Sequence, residues 1–395
     1  MNPPKIDIGE VKNNQIYFPQ LHAPTEKIER TPNLDPFDQK IGFAVIGLGR
    51  ISVNQMIPAF QESKHAKLVA VVSGRPKKAE LIAQQYNVPF IYNYQNFDSI
   101  KDNRQIQAVY IALPPFLHLE YTRRAALAGK HILCEKPMAL NINEAKEMIT
   151  VCQQNNRKLM IGYRMQYDVF SRKLIEMCKN GDLGTIKNIV SCFYQNMGNP
   201  QQWRLKKDLA GGGSLFDIGI YCLNAARFLT GEEPIQLSSQ IVNDPNDPRF
   251  QEVDQNVNWN LVFPSGSTAS LSCDFNSHEL STLIVNGTDR SAQLHPAYSY
   301  QGQKLILSTL DNQKNKAQID LQLQHQNQFR LELDHFAECI QNNLTPRTPG
   351  EEGLQDLFLM EKIYLSAQKN GQIIKLPHIN KLDAFRGPPL GEIPQ

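Results

Sequence analysis

The stretch Ile41-Gly-Phe-Ala-Val-Ile-Gly-Leu-Gly-Arg-Ile-Ser52 constrains this chain more than any other. Its apolar, partly β-branched opening, Ile41 to Ile46, reads as a buried parallel strand. The strand breaks at Gly47-Leu-Gly49 and gives way to a helical pattern carrying Ile51, Met56 and Phe60. Gly47 permits a tight turn, and Gly49 lets backbone amides approach a pyrophosphate at the positive end of the helix. Ser52 replaces the third glycine of the dinucleotide fingerprint and is still small enough for close helix–strand packing. Gly47, Leu48, Gly49, Arg50 and Ile51 are therefore candidate cofactor contacts. A glycine turn alone is often only a turn, so the surroundings must decide.

They favour the cofactor. Strands are expected at Lys67–Ser73, Gln107–Leu113, His131–Cys134 and Lys158–Gly162, with helices between them near Lys77–Tyr86, His118–Ala128 and Asn143–Asn155. Such alternation predicts a doubly wound parallel sheet, a Rossmann-type α/β domain over 41–163. Beyond it the pattern changes. Helices near Ser171–Asn180 and Leu215–Leu229 are followed by strands at Ile235–Val242, Val253–Phe263, Thr268–Phe275 and Leu280–Val285, then helices near Gln328–Gln341 and Glu351–Lys369. This predicts a second, α+β domain over 164–378 with a large open antiparallel sheet. The proline-rich residues 1–40 read as an extended arm and 379–395 as an extended tail.

Composition removes several classes of function. A net charge of +2 without a long basic run gives no reason to expect nucleic acid, and no apolar stretch approaches a membrane span. Seven scattered cysteines without a CxxC pair read as reduced structural thiols, and neither they nor the nine histidines suggest a metal. Met1-Asn-Pro-Pro-Lys5 shows neither an apolar segment nor paired arginines, which predicts a cytoplasmic protein, or a periplasmic one had a leader been removed.

At the end of the second strand a NAD-selective protein places a carboxylate for the ribose 2′-hydroxyl. Here the position holds Ser73-Gly-Arg-Pro-Lys-Lys78. Ser73, Gly74, Arg75 and Lys78 suit a 2′-phosphate instead, which points to NADP over a merely solvated basic loop. Leu113, Pro114 and His118 follow the third strand. Cys134-Glu-Lys-Pro137 ends the next, at the carboxyl edge where open α/β sheets bind ligands. Glu135 and Lys136 are candidates there, with Pro137 expected to be cis. Farther on, Gly211-Gly-Gly-Ser-Leu-Phe-Asp-Ile-Gly-Ile-Tyr221 places Asp217 and Tyr221 four apart on one helical face, with Gly219 expected to leave room for a ligand. A lysine ammonium near a tyrosine phenol favours the phenolate and eases proton exchange with an alcohol or carbonyl. Lys136, Asp217 and Tyr221 form the candidate catalytic set. Without the other pieces Tyr221 would read as a core tyrosine.

With these stretches in place, the chain resembles the Gfo/Idh/MocA oxidoreductase family from about residue 41 to residue 370. The likeness rests on Ala44-Val-Ile-Gly-Leu-Gly49, Cys134-Glu-Lys-Pro-Met138, Lys158-Leu-Met-Ile-Gly-Tyr-Arg164, Gln202-Trp-Arg-Leu205, Leu209–Tyr221 and Gly350-Glu-Glu-Gly353. Tyr221, where most relatives carry His, narrows it with Trp203-Arg204 to the glucose–fructose oxidoreductase branch. The resemblance implies NADP held tightly while C1 of an aldose is oxidised to a lactone and a second, fructose-like sugar is reduced to a polyol. It adds Arg164, Trp203, Arg204 and Tyr300 to the cofactor contacts and sets Lys136, Tyr163, Asp217 and Tyr221 at the substrate. It also implies a homo-dimer or homo-tetramer joined through the antiparallel sheet, with the amino-terminal arm on a neighbouring subunit. Two alternatives stand: an aldose 1-dehydrogenase that releases NADPH at each turnover, and a non-catalytic sugar-sensing regulator.

Overall fold

The structure, a computed structural model, describes residues 9–18, 40–311 and 313–378. Most of the expected arm and all of the expected tail lie outside these residues. The chain divides into two compact units, one of residues 1–164 with 329–354 and the other of 165–328 with 355–395.

The first unit opens on a short antiparallel hairpin, β1 (Glu10–Lys12) and β2 (Gln15–Tyr17). This corrects the reading of the arm as wholly extended. Asn13 and Asn14 at its tip have φ of 49° and 57°, the left-handed pair that a two-residue hairpin turn requires and that asparagine tolerates. A six-stranded parallel sheet follows: β3 (Ile41–Ile46), β4 (Ala66–Val72), β5 (Phe90–Tyr92), β6 (Ala108–Ile111), β7 (His131–Glu135) and β8 (Leu159–Gly162). The strand order is β5-β4-β3-β6-β7-β8, so the winding reverses between β3 and β6, the place where such sheets bind ligands. Helices α1 (Ile57–Glu62), α2 (Pro76–Tyr86), α3 (His118–Leu127) and α4 (Ile142–Gln154) connect the strands. A wide π-type turn, Ser52–Met56, leads into α1. The first sheet is buried as an α/β sheet must be, with every residue of β3, β6 and β8 enclosed.

In the second unit come α5 (Val169–Asn180), β9 (Ile186–Asn196), the short α6 (Lys207–Ala210) and α7 (Ile220–Thr230), the last preceded by the π-turn Leu215–Gly219. Then follow β10 (Gln236–Val242), β11 (Asn256–Val262), β12 (Thr268–Asp274), β13 (Asn276–Gly287), β14 (Ser291–His295), β15 (Lys304–Leu310) and β16 (Lys316–Leu321). Last among the described residues come α8 (Gln328–Gln341), α9 (Gly350–Gln368) and β17 (Ile374–Lys375). Nine strands pair in the order β16-β15-β14-β13-β9-β12-β11-β10-β17. Every pairing is antiparallel except β9 with β12, so the expected antiparallel sheet is mixed. Its central strand β9 went unpredicted, as did β14, β15 and β16.

Residues 329–354, drawn by the sequence reading into the second domain, group with the first unit. The carboxylate of Asp334 accepts from Ser63 Oγ at 2.6 Å and from the amides of Lys64 and His65 at 2.9 and 3.0 Å. Thr348 exchanges two bonds with Ile161 of β8, each 2.7 Å. Polar groups that β8 and the end of α1 would leave unpaired are thereby satisfied. Among the described residues no helix is long and apolar enough to cross a membrane, and no three His, Cys, Asp or Glu gather as metal ligands.

Candidate functional site

Each unit carries its own share of the candidate residues. In the first, the expected cofactor residues follow consecutive strand ends at the carboxyl edge: Gly47 after β3, Ser73 after β4, Leu113 after β6, Lys136 after β7 and Tyr163 after β8. Gly47 has φ of +90°, and a Cβ there would lie 2.6 Å from the carbonyl oxygen of Ala112. No other residue fits the turn without strain. Gly49 faces open space, with nothing within 4 Å of where its Cβ would be. Ser52 Oγ is fully buried at the first position of the π-turn and has no hydrogen-bond partner. An open approach over Gly49 and an orphaned hydroxyl at a helix start fit a dinucleotide phosphate. Leu48 is buried, while Arg50 and Ile51 are half-buried.

At the end of β4, Ser73 Oγ accepts from the amide of Arg75 at 3.1 Å, fixing the bend. Gly74 and Arg75 are exposed there, with no carboxylate in the loop. Lys78 is drawn inward: its ammonium lies 5.1 Å from the Phe18 ring centroid, and the Arg50 guanidinium lies 5.7 Å from the same ring. Phe18 follows β2, so the hairpin covers this corner of the cradle. Sequence reasoning missed it because nothing in the arm announces where its aromatic residue docks.

His118 behaves differently from the expectation of a cofactor contact. Its ring is fully buried, with Nδ1 3.1 Å from the carbonyl oxygens of both Pro137 and Met138 and Nε2 2.8 Å from that of Leu113. Burial holds its pKa below the ordinary value, against those carbonyls. The imidazole thus ties the Leu113-Pro114 turn to the turn after β7. The Lys136–Pro137 bond is cis, as expected. Lys136 is half-buried, and its amide donates to Glu135 Oε2 at 3.2 Å. Glu135 Oε1 accepts from the Tyr110 hydroxyl at 2.6 Å. Tyr110 is a further residue missed at first, although a tyrosine in the otherwise aliphatic run Ala108–Ile111 signals that its hydroxyl has a buried partner. Tyr163 and Arg164 are buried.

In the second unit, Asp217 lies in the π-turn and Tyr221 in the first turn of α7. Asp217 Oδ2 is 3.0 Å from Arg204 Nε, and the Arg204 guanidinium stands 4.4 Å from the Trp203 ring centroid. The Tyr221 ring packs against Phe193 of β9 and against Tyr298, at centroid separations of 5.6 and 5.5 Å. Tyr298 is itself held by Ser191, oxygen to oxygen 2.6 Å, and burial keeps its phenol protonated well beyond the ordinary range. This aromatic frame fixes the direction of Tyr221. Tyr300 is half-buried, and its carbonyl oxygen lies 2.8 Å from His325 Nε2.

The helix start that carries both residues is built by Asp254. Its carboxylate accepts from the amides of Gly213 and Leu215, each 2.8 Å, from Ser214 Oγ at 3.0 Å and from the Tyr364 hydroxyl at 2.5 Å. A Cβ on Gly213 would lie 2.1 Å from the Asp254 carbonyl oxygen, which explains glycine there. Gly219 does not leave space for a ligand, as the sequence suggested. A Cβ there would meet Cys273 Sγ at 2.7 Å, so this glycine lets α7 settle on the sheet.

Comparison with known proteins gives a consistent result. Residues 41–163 match the family model described as "Oxidoreductase family, NAD-binding Rossmann fold", GFO_IDH_MocA, and residues 171–293 match the GFO/IDH/MocA C-terminal domain. D-xylose 1-dehydrogenase [NADP(+)] of Haloarcula marismortui is 30% identical, over 85% of this chain and 93% of that one. The crystal structure of aldose–aldose oxidoreductase from Caulobacter crescentus, complexed with glycerol, is 41% identical with a TM-score of 0.82, covering 85% of this chain and all of that one. KijD10, a 3-ketoreductase from Actinomadura kijaniata solved with NADP and TDP-benzene, shares the fold at 23% identity and a TM-score of 0.71, over 83% and 98% of the two chains.

Proposed function

We propose a function from one premise: the chain belongs to the Gfo/Idh/MocA oxidoreductase family. On that premise it is an NADP-dependent oxidoreductase acting on a CH–OH group of a sugar. Its first half-reaction takes an aldose, glucose-like in the ring it presents, to the lactone at C1. Its second returns the reducing equivalents to another sugar, giving a polyol before the cofactor is released. When bound, NADP supplies a nicotinamide able to accept and return hydride.

The observation that carries this reading is Tyr221, aimed by Phe193 and Tyr298 and set one turn beyond the Asp217–Arg204 pair. A phenol held in this way can take a hydroxyl proton and give it back, which both half-reactions require. Lys136 contributes positive charge to the same reaction, and Asp217 orients the sugar. The residues that would hold the cofactor are Gly47–Ile51 for the pyrophosphate, Ser73–Arg75 with Lys78 for the 2′-phosphate, and Leu113, Pro114, Glu135, Lys136 and Arg164 toward the nicotinamide. Trp203, Arg204 and Tyr300 complete the proposed contacts. NADP is supported by the carboxylate-free loop after β4 and by the name of the haloarchaeal relative. We further propose a homo-dimer or homo-tetramer.

The test is an absorbance and fluorescence spectrum of purified, dialysed protein, followed by glucose and then fructose. A nicotinamide signal that survives dialysis, shifts to the reduced form with glucose and reverts with fructose supports the coupled reaction. Loss of cofactor on dialysis, with added NADP still reduced by an aldose, makes it a releasing dehydrogenase. No response to any sugar overturns the reading. A second aldose as the acceptor is favoured by the name of the 41% identical Caulobacter structure, and reversion with an aldose in place of fructose separates the two acceptors.

A further inference from the structure

One buried acid has no place in this chemistry. Glu332, on α8 within the first unit, is 0% exposed, and neither of its carboxyl oxygens has a hydrogen-bond partner. A lone ionised carboxylate sealed from water without donors is too costly to persist; such a group takes up a proton or gains a partner. Its charged neighbours are Glu135, which raises its pKa further beyond the effect of burial, and Arg164, which opposes that rise only in part. The remaining charged groups of α8 are engaged elsewhere. Asp334 is held by Arg330 at 3.1 Å and by the amides near Ser63, His335 accepts from the Arg347 amide, and Glu338 pairs with His65.

Two carboxyls and one guanidinium share this interior, and hydrogen bonding decides which carboxyl carries the charge. Glu135 receives the Tyr110 hydroxyl and the Lys136 amide and lies near the charges of both Lys136 and Arg164. Glu332 receives no donor. We infer that Glu332 holds a proton at neutral pH and Glu135 does not, so that the pair carries one negative charge, balanced by Arg164, beneath the turn that bears Lys136. Burial raises the pKa of both acids, and they titrate as a coupled pair whose first proton leaves from Glu135.

Glu332 is then a positioning residue. While it is neutral, Glu135 remains the acceptor that fixes the Lys136 backbone; once it ionises, two like charges compete for one guanidinium and the turn loses its anchor. The protonation assignment stands apart from the sugar reading, because its tests read the carboxyl and not turnover.

The sign of the pH effect follows from linkage. Below the ordinary glutamate value of 4.5, folded and unfolded chains are both protonated at this position. Above it the unfolded chain ionises while the folded one stays neutral, so Glu332 lowers stability progressively until the folded group ionises too. Glutamine has no such proton to lose. The Tm advantage of E332Q over the native protein should therefore widen as pH rises from about 4.5 toward 8. In parallel, infrared spectra of the native protein at pH 7 should show a protonated-carboxyl band that shifts in D2O and disappears in both E332Q and E332L. A Tm difference that stays constant or narrows with pH, or a band unaffected by both substitutions, overturns the assignment. Should E332Q not fold, the native spectrum against E332L still decides it.

Discussion

Tyr221 is a residue whose surroundings matter as much as its hydroxyl. Removing only that oxygen, in Y221F, leaves the stack with Phe193 and Tyr298 in place, so the variant should fold and retain nicotinamide fluorescence. Its turnover of an aldose should fall by about 10²- to 10⁴-fold, the usual worth of a positioned proton donor, as steady-state kinetics would show. At the other end of the cofactor, the R75Q/K78Q pair should weaken NADP far more than NAD. Losing one or two charge-assisted bonds at about 1.5–3 kcal/mol each predicts at least a roughly tenfold rise in Kd for NADP alone, measured by fluorescence titration. The strand-end residues were legible in sequence because the dinucleotide turn demands particular geometry at fixed positions. Phe193, Tyr298 and Glu332 were not, because each meets its neighbours across long sequence separation, and a single chain read in order carries no record of that meeting.

Elements show the same divide. The parallel strands other than β5 were read nearly to their ends, because buried strands such as Ile41–Ile46 are continuously apolar, whereas the three-residue edge strand β5 has no fully buried residue. Strand β9 escaped because its residues Ile186-Lys-Asn-Ile-Val-Ser-Cys-Phe-Tyr-Gln-Asn196 mix polar and apolar groups, so that Ile189, Val190, Phe193 and Tyr194 form neither a clean alternation nor a continuous apolar run. It is nevertheless the strand on which β12 and β13 both depend. The hairpin β1–β2 was hidden by its proline-rich context, since Asn13-Asn14 is the only turn signal it has. At the start of α7, the glycine run looked like a ligand loop, and the structure makes it a seat for Asp254. D254A would strand the amides of Gly213 and Leu215 and the Tyr364 hydroxyl in a buried place. A loss of about 1–3 kcal/mol per orphaned group should appear in urea unfolding, together with a lower kcat because Asp217 and Tyr221 ride on that helix start. An unchanged kcat would separate the cap from the chemistry.

For the whole molecule, the two family matches place a Rossmann domain and a C-terminal domain in sequence, yet the chain does not keep its two units in succession. It leaves the first unit after residue 164 and returns to it for residues 329–354. There Phe336 meets Phe43 of β3 at 6.2 Å between ring centroids, and Asp334 holds the end of α1. The second unit, in turn, is closed by Asp356, whose carboxylate binds the buried Arg227 at 2.5 Å, and by β17 at the edge of the sheet. A fragment ending at residue 327 should therefore be unstable in both units, losing cooperative unfolding and nicotinamide binding together; a fragment that still binds would show that the return segment is dispensable.

That interleaving has a consequence for how the protein comes into being. A ribosome adds about 5–20 residues per second and usually lets an early domain fold before the next is made. Here the amino-terminal unit must wait for residues near 349, and the other for residues near 375, so neither is complete when residue 328 emerges and the two finish almost together. Both principal sheets stay unsealed until α8 and α9 have been made, and a stop codon ahead of them should leave no half-product able to trap cofactor.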